Sequence, residues 1–190
     1  MMHLLKDYFE KKTGIPSDEW DIFISKLSKR FFAKKTRILC AGDMEHYLSF
    51  LEKGSVRFYA TDENFQESTF TFVFEGDFFS AYDSFLSRQA STYSIETLSD
   101  TVVWQISYDD LQTIYRETVI GNTIGRLAAE ELFCKKIKRE LSLLNETAEQ
   151  RYNSLFRQKP AIIQQIPLKY IASYIGITPQ ALSRIRKRIS

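Results

Sequence analysis

Residues 167–190 read PLKYIASYIGITPQALSRIRKRIS, a helix-sized stretch with five basic residues and no acidic one. Laid on helical geometry, Leu168, Ile171, Ala172 and Ile175 share one apolar face. Gly176 can take the left-handed conformation that ends a helix. Thr178 then offers a side-chain oxygen to cap a second helix, and Pro179 at its first position lacks an amide that would go unpaired there. In that second helix Leu182, Ile185 and Ile189 point inward. Gln180, Ser183, Arg184 and Lys187 fall at the i, i+3, i+4, i+7 offsets of one polar stripe, with Arg188 also off the inward face. Two short helices, a Gly-containing turn and a basic second helix describe a helix-turn-helix. The major groove accepts a helix of this width, where Gln pairs with adenine and Arg with guanine. The reading assigns base contacts to Gln180 and Arg184, backbone contacts to Ser183, Lys187 and Arg188, and the cap to Thr178.

Charge supports the same end of the chain. Of 26 Lys and Arg, eight lie after residue 149, and none of the 24 Asp and Glu does. The first 149 residues therefore carry −6 and the last 41 carry +8, a split hidden in the net charge of +2. An acidic body with a basic end is the asymmetry expected where one end meets a polyanion.

Outward from the motif, the rest of the chain falls into three segments. Up to about Ser28 the pattern is helical, with Leu4, Leu5, Tyr8 and Phe9, then a Ser17 cap followed by Trp20, Phe23, Ile24 and Leu27. From Phe31 to about Ile106 the rhythm becomes two, in SVRFYA, STFTFVF, TYSIETL and TVVWQIS. Turn signals at 41–43, 52–55, 61–64, 75–77 and 98–100 separate these runs, which predicts an antiparallel sandwich or barrel. From Tyr108 to about Leu144 the pattern is helical again through Ile120, Ile124, Leu127, Ala128, Leu132, Ile137, Leu141 and Leu144. Phe133 and Leu143 widen that apolar surface, so the helix needs two partners, and a second copy of the chain is the economical one. After Asn145, Thr147 reads as a cap ahead of Tyr152, Leu155 and Phe156.

Hydrophobic residues make up 44% of the 190, including 15 Phe and 10 Tyr, so a packed core is expected. No run of about 18 apolar residues is present, so no membrane contact is expected. The opening MMHLLKDYFEKKTG has no signal-peptide pattern, and a cytoplasmic location is expected. Cys40 and Cys134 match neither a disulfide framework nor a zinc spacing and are read as buried free thiols. With two histidines, and His46 read as a surface residue, no metal site is expected. No catalytic residue is assigned, because GxSxG, P-loop and GxGxxG patterns are all missing.

With these features in place, the chain resembles the Crp/Fnr family of bacterial transcription regulators along essentially its whole length. IPLKYIASYIGITPQALSRIRKR (166–188) is similar to the family's C-terminal helix-turn-helix. FVFEGDFFSAYDSFLSRQASTYSIETLSDTVVWQIS (72–107) is similar to the second half of its cyclic-nucleotide-binding β-roll. The resemblance implies an α+β chain: a jelly-roll sensor domain with N-terminal helices over 1–115, a dimerisation helix over 116–145, and a helix-turn-helix domain over 146–190. It also implies a homodimer on double-stranded DNA, with RNA polymerase as a candidate partner, and maps the family's base-reading arginine onto Arg184. The wing that commonly follows the recognition helix is not expected.

At the effector pocket the pattern departs. Where cyclic-AMP-binding members carry Gly-Glu, this chain has Ser80 and Ala81; where they carry Arg-Ser, it has Ser91 and Thr92. Losing the phosphate cation and the ribose carboxylate removes the charge-assisted bonds that dominate such a site. Arg88 lies nearby on an expected loop. Cyclic-nucleotide binding is therefore not expected, no cofactor is identified, and another small-molecule effector is left open. The rival reading is a ligand-binding jelly roll whose basic C-terminal helices contact a non-DNA acidic partner.

Overall fold

Period-two patterning between Ser28 and Ser107 becomes two four-stranded sheets, and the helical patterning on either side becomes the surrounding helices. The structure, a computed structural model, describes residues 3–10, 17–119, 121–158 and 166–189. In chain order the elements are α1 (His3–Glu10), α2 (Ser17–Ser25), β1 (Ser28–Phe32), β2 (Arg37–Leu39), β3 (Tyr47–Lys53), β4 (Ser55–Thr61), β5 (Glu67–Phe74) and β6 (Phe78–Phe79). They continue with α3 (Tyr82–Ser87), β7 (Ser94–Thr97), β8 (Thr101–Ser107), α4 (Tyr108–Glu117), α5 (Gly121–Asn145), α6 (Ala148–Gln158), α7 (Leu168–Ile175) and α8 (Pro179–Ile189). The fold is α+β, as the sequence predicts. No helix among the described residues is long and apolar enough to cross a membrane.

The chain divides into two compact units, 1–58 with 72–130, and 59–71 with 131–190. In the first, one sheet runs β1-β8-β3-β6 and the other β2-β7-β4-β5, the last with strand segments that extend into the second unit. β8 pairs antiparallel with β1, Ser28 opposite Gln105, and with β3, Phe50 opposite Trp104. Alternation sets the faces: Thr101, Val103 and Gln105 of β8 are buried, while Val102 and Trp104 are half-buried. A core of Leu5, Phe9, Phe23, Phe50, Phe85, Ile106, Leu111 and Ile114 joins α1, α2 and α4 to β3, α3 and β8. Within it Phe9 meets Phe23 edge to face at 5.2 Å between centroids, an arrangement that ring quadrupoles favour. At the β3–β4 turn Gly54 has φ +102°, and a Cβ there would meet the Asp100 carbonyl at 2.7 Å. Both facts require glycine.

Four expectations are corrected. The β region starts at Ser28 rather than Phe31, because β1 is an edge strand whose exposed Lys29 and Arg30 hide the alternation. A short helix, α3, occupies part of the run expected to be strand and loop, and Arg88 is its left-handed C-cap at φ 58°. The long helical segment breaks between α4 and α5, where the Thr118 hydroxyl donates to the Ile114 carbonyl at 2.8 Å and accepts from the Gly121 amide at 3.0 Å. Cys134 is exposed and Cys40 half-buried, because Cys134 lies on a stretch of α5 whose neighbours are also exposed. Ile120, and the side chains of Ile124 and Ile189, lie outside the described residues.

Candidate nucleic-acid interface and effector pocket

In the second unit the C-terminal segment builds its own apolar centre. Tyr152 and Leu155 of α6, Ile166 just ahead of α7, Ile171, Ala172 and Ile175 within α7, and Leu182 of α8 are all buried, and Leu182 is at 0% exposure. Thr147 starts α6 through a reciprocal pair: its hydroxyl accepts from the Gln150 amide at 3.2 Å, and Gln150 Oε1 accepts from the Thr147 amide at 2.8 Å. Gly176 ends α7 at φ 80°, and the Ile177 amide returns to the Ala172 carbonyl at 3.0 Å. Thr178 caps α8, its hydroxyl accepting from the Ala181 amide at 3.2 Å.

That packing turns one side of α8 outward. Gln180, Ser183, Arg184, Lys187 and Arg188 are exposed, as are Thr178 and Pro179 at the helix start, while Ile185 is half-buried. The free amide end of a helix adds a partial positive charge beside Gln180, ahead of the cations on Arg184, Arg186 and Lys187. Arg188 forms an ion pair with Glu149 of α6. A face of this kind can hydrogen-bond base edges at its start and hold phosphates along its length.

On the preceding helix, three successive residues of α7 are held by three different elements. The Ser173 hydroxyl accepts from the Thr69 amide of β5 at 2.8 Å. The Tyr174 carbonyl accepts from the Arg139 guanidinium of α5, which also lies 3.8 Å from the Tyr174 ring centre. The Ile175 carbonyl accepts from Arg151 Nε of α6 at 2.8 Å. Sequence reasoning passed over Arg139 and Arg151. The only local sign was basic residues among the apolar positions of α5 and α6, which also describes a solvated helix face.

The residues at the expected effector positions belong to the first unit. The half-buried Ser80 hydroxyl donates to the Tyr47 carbonyl at 3.0 Å, and Ala81 is fully buried. Ser91 is buried and donates to the Tyr93 carbonyl at 2.8 Å, whereas Thr92 is exposed. The Arg88 guanidinium is engaged with the chain itself: it donates to the Glu45 carbonyl at 2.9 Å and the Phe85 carbonyl at 3.3 Å, and lies 4.7 Å from the Tyr108 ring centre. His46 is exposed, and its Nδ1 is 3.3 Å from Arg88. A second arginine, Arg57, is 1% exposed and paired with Glu96 at 3.1 Å. Tyr93 shares a hydrogen bond with Asp83, and its ring lies 6.0 Å from that of Phe58. Among the described residues no group of three or more His, Cys, Asp or Glu could hold a metal ion.

Comparison with known proteins finds similar chains and folds. Residues 29–118 match the cyclic nucleotide-binding domain family. The chain is 26% identical over 178 residues to the cyclic AMP receptor protein of Thermus thermophilus, an overlap of 90% of this chain and 81% of that one. Among solved structures, FixK2 of Bradyrhizobium japonicum superposes with a TM-score of 0.75 at 18% identity, covering 86% of this chain and 84% of FixK2. The regulator CLP of Xanthomonas campestris, described as responsive to c-di-GMP, superposes with a TM-score of 0.69 at 16% identity over 92% of this chain and 91% of CLP.

Proposed function

We propose that this chain, which belongs with the Crp/Fnr regulators as its motifs indicate, regulates transcription by binding duplex DNA as a homodimer. The observation that carries the reading is the outward face of α8: Gln180, Ser183, Arg184 and Lys187 stand exposed on a capped helix whose opposite side is anchored by Leu182. Two such helices, presented about 34 Å apart, enter successive major grooves. Gln180 and Arg184 read base edges. Ser183, Lys187 and Arg188 hold the backbone, with Arg188 exchanging Glu149 for a phosphate, and Thr178 sets the start of the helix. Dimerisation runs through α5, and the bound dimer is then placed to meet RNA polymerase in the cytoplasm.

The effector is not cyclic AMP. Ser80, Ala81, Ser91 and Thr92 supply neither a guanidinium for the cyclic phosphate nor a carboxylate for the ribose, and Arg88 is committed to carbonyl groups of its own chain. A relative described as responsive to c-di-GMP supports the view that this fold accepts other effectors. Switching then consists of a shift in α5 that changes the spacing of the two recognition helices.

Selection of bound sequences from random duplexes tests the reading. Arg184→Ala should flatten preference at one position of each half-site, a discrimination of about 1–3 kcal/mol. Lys187→Ala should weaken all duplexes and reduce the slope of log affinity against log salt by about one. Equal losses for both variants on selected and random DNA would contradict this division of roles. Heat on mixing with cyclic AMP in calorimetry would overturn the effector assignment.

A further inference from the structure

The end of α7 is where the C-termini of two helices converge. α5 finishes at Asn145 and α7 at Ile175, and each end exposes carbonyls carrying about half a negative charge in sum. Arg151 answers both ends: it donates to the Ile175 carbonyl at 2.8 Å, to the Ser142 carbonyl of α5 at 3.4 Å, and to the Glu146 carbonyl just past α5. Arg139 reaches from within α5 to the Tyr174 carbonyl and lies over the Tyr174 ring. Its Nε is buried without a hydrogen-bond partner. Burial, reinforced by the neighbouring charge of Arg151, lowers its pKa from the ordinary guanidinium value.

The geometry points to Arg139 and Arg151 as positioning residues for DNA recognition: by capping the last carbonyls of α7 they fix the recognition helix to the C-terminal half of α5. The turn at Gly176 follows at once, and α8 begins at Pro179, so the direction in which Gln180 and Arg184 face is set by where α7 ends. Neither arginine is on the reading face. Each acts through backbone carbonyls, and its loss lets the turn and the start of α8 wander while the apolar centre around Leu182 stays closed.

This inference rests on the DNA-binding reading and deepens it. The test uses the full-length protein and the variants Arg139→Gln, Arg151→Gln and their Lys counterparts. Affinity is measured for a selected duplex and a random one, alongside hydrogen exchange of the Gly176 and Ile177 amides without DNA. The Gln variants should lose about tenfold in affinity for the selected duplex, as expected for one or two charge-assisted caps. Random duplex should bind as before, the two amides should exchange faster, and Lys should restore part of the loss by keeping the charge at the helix end. An unchanged ratio of selected to random affinity in both Gln variants would overturn the proposal. So would parallel losses on both duplexes, which mark a phosphate contact. If the unaltered protein fails to prefer any sequence, DNA reading falls and positioning falls with it; if it prefers a sequence and the Gln variants prefer it equally, positioning alone fails.

Discussion

Glu45 is 7% exposed in the first unit, and its carboxylate accepts hydrogen bonds from the Tyr47 amide at 3.0 Å and the Ala81 amide at 3.5 Å. Burial outweighs those bonds and pushes its pKa above the ordinary 4.5. A carboxyl with a raised folded pKa holds more protons folded than unfolded between the two values. Stability therefore falls as pH rises through that window, and the loss is complete above it. Glu45→Gln has no such titration, so thermal melts from pH 4 upward should show the native protein losing ground to the variant until Glu45 is ionised. Parallel melting curves would refute this. Ala81 sits beside this group at one of the positions read as a lost ribose contact, and the carboxylate facing its amide comes from 36 residues away. At this scale the exposed face of α8 was legible, since exposure on a helix follows from residue type and spacing. Arg88 was not, since three of its partners are distant in sequence: Glu45 and His46 in the β2–β3 loop and Tyr108 at the start of α4.

Elements depend on their ends. Gly176 has φ 80°, and a Cβ there would find only Arg151 Nη2, at 3.8 Å, which is ordinary contact. The cost of Gly176→Ala is then backbone strain alone, about 1–2 kcal/mol for a left-handed alanine. Denaturant unfolding should report a loss of that size, and a loss well under 0.5 kcal/mol would show that the turn relaxes into another conformation. The caps at Thr147 and Thr178 and the glycine at 176 were all readable, because each acts within four residues. α3 was not readable as a helix: in YDSFLS Phe85 is buried in the core and Leu86 is 51% exposed, too short a run to show a period. The break at Thr118 was equally hidden, since it is made by a hydroxyl folding back on its own helix end.

For the whole molecule, α5 carries Phe133 at 66% exposure, Ile137 at 40%, Leu141 at 51% and Leu144 at 74%, spaced four, four and three residues apart along one side. A second copy of the helix would remove that stripe from water, in keeping with the proposed dimer. Leu141→Glu should leave each protomer folded, since Leu141 contributes little to its own interior, and should yield monomers at micromolar concentration by sedimentation. Affinity for a duplex with two half-sites should fall toward that for a single half-site. A dimer of unchanged strength would place the contact elsewhere.

The sequence by itself determined the helix-turn-helix, the strand-rich middle and the acidic body with its basic end, and it proposed the altered residues at the expected effector positions. The first three are written in periods of 3.6 and 2, in caps a few residues long, or in simple composition, and the last follows from the resemblance to the Crp/Fnr family. Only the tertiary structure decided that Arg57 is buried against Glu96, 39 residues away, and that Arg88 is occupied by its own chain. It also decided that Arg139 and Arg151 close the end of α7 from 35 and 24 residues away. Desolvation and partnership depend on which distant segments meet, and no local pattern of residue types records that meeting.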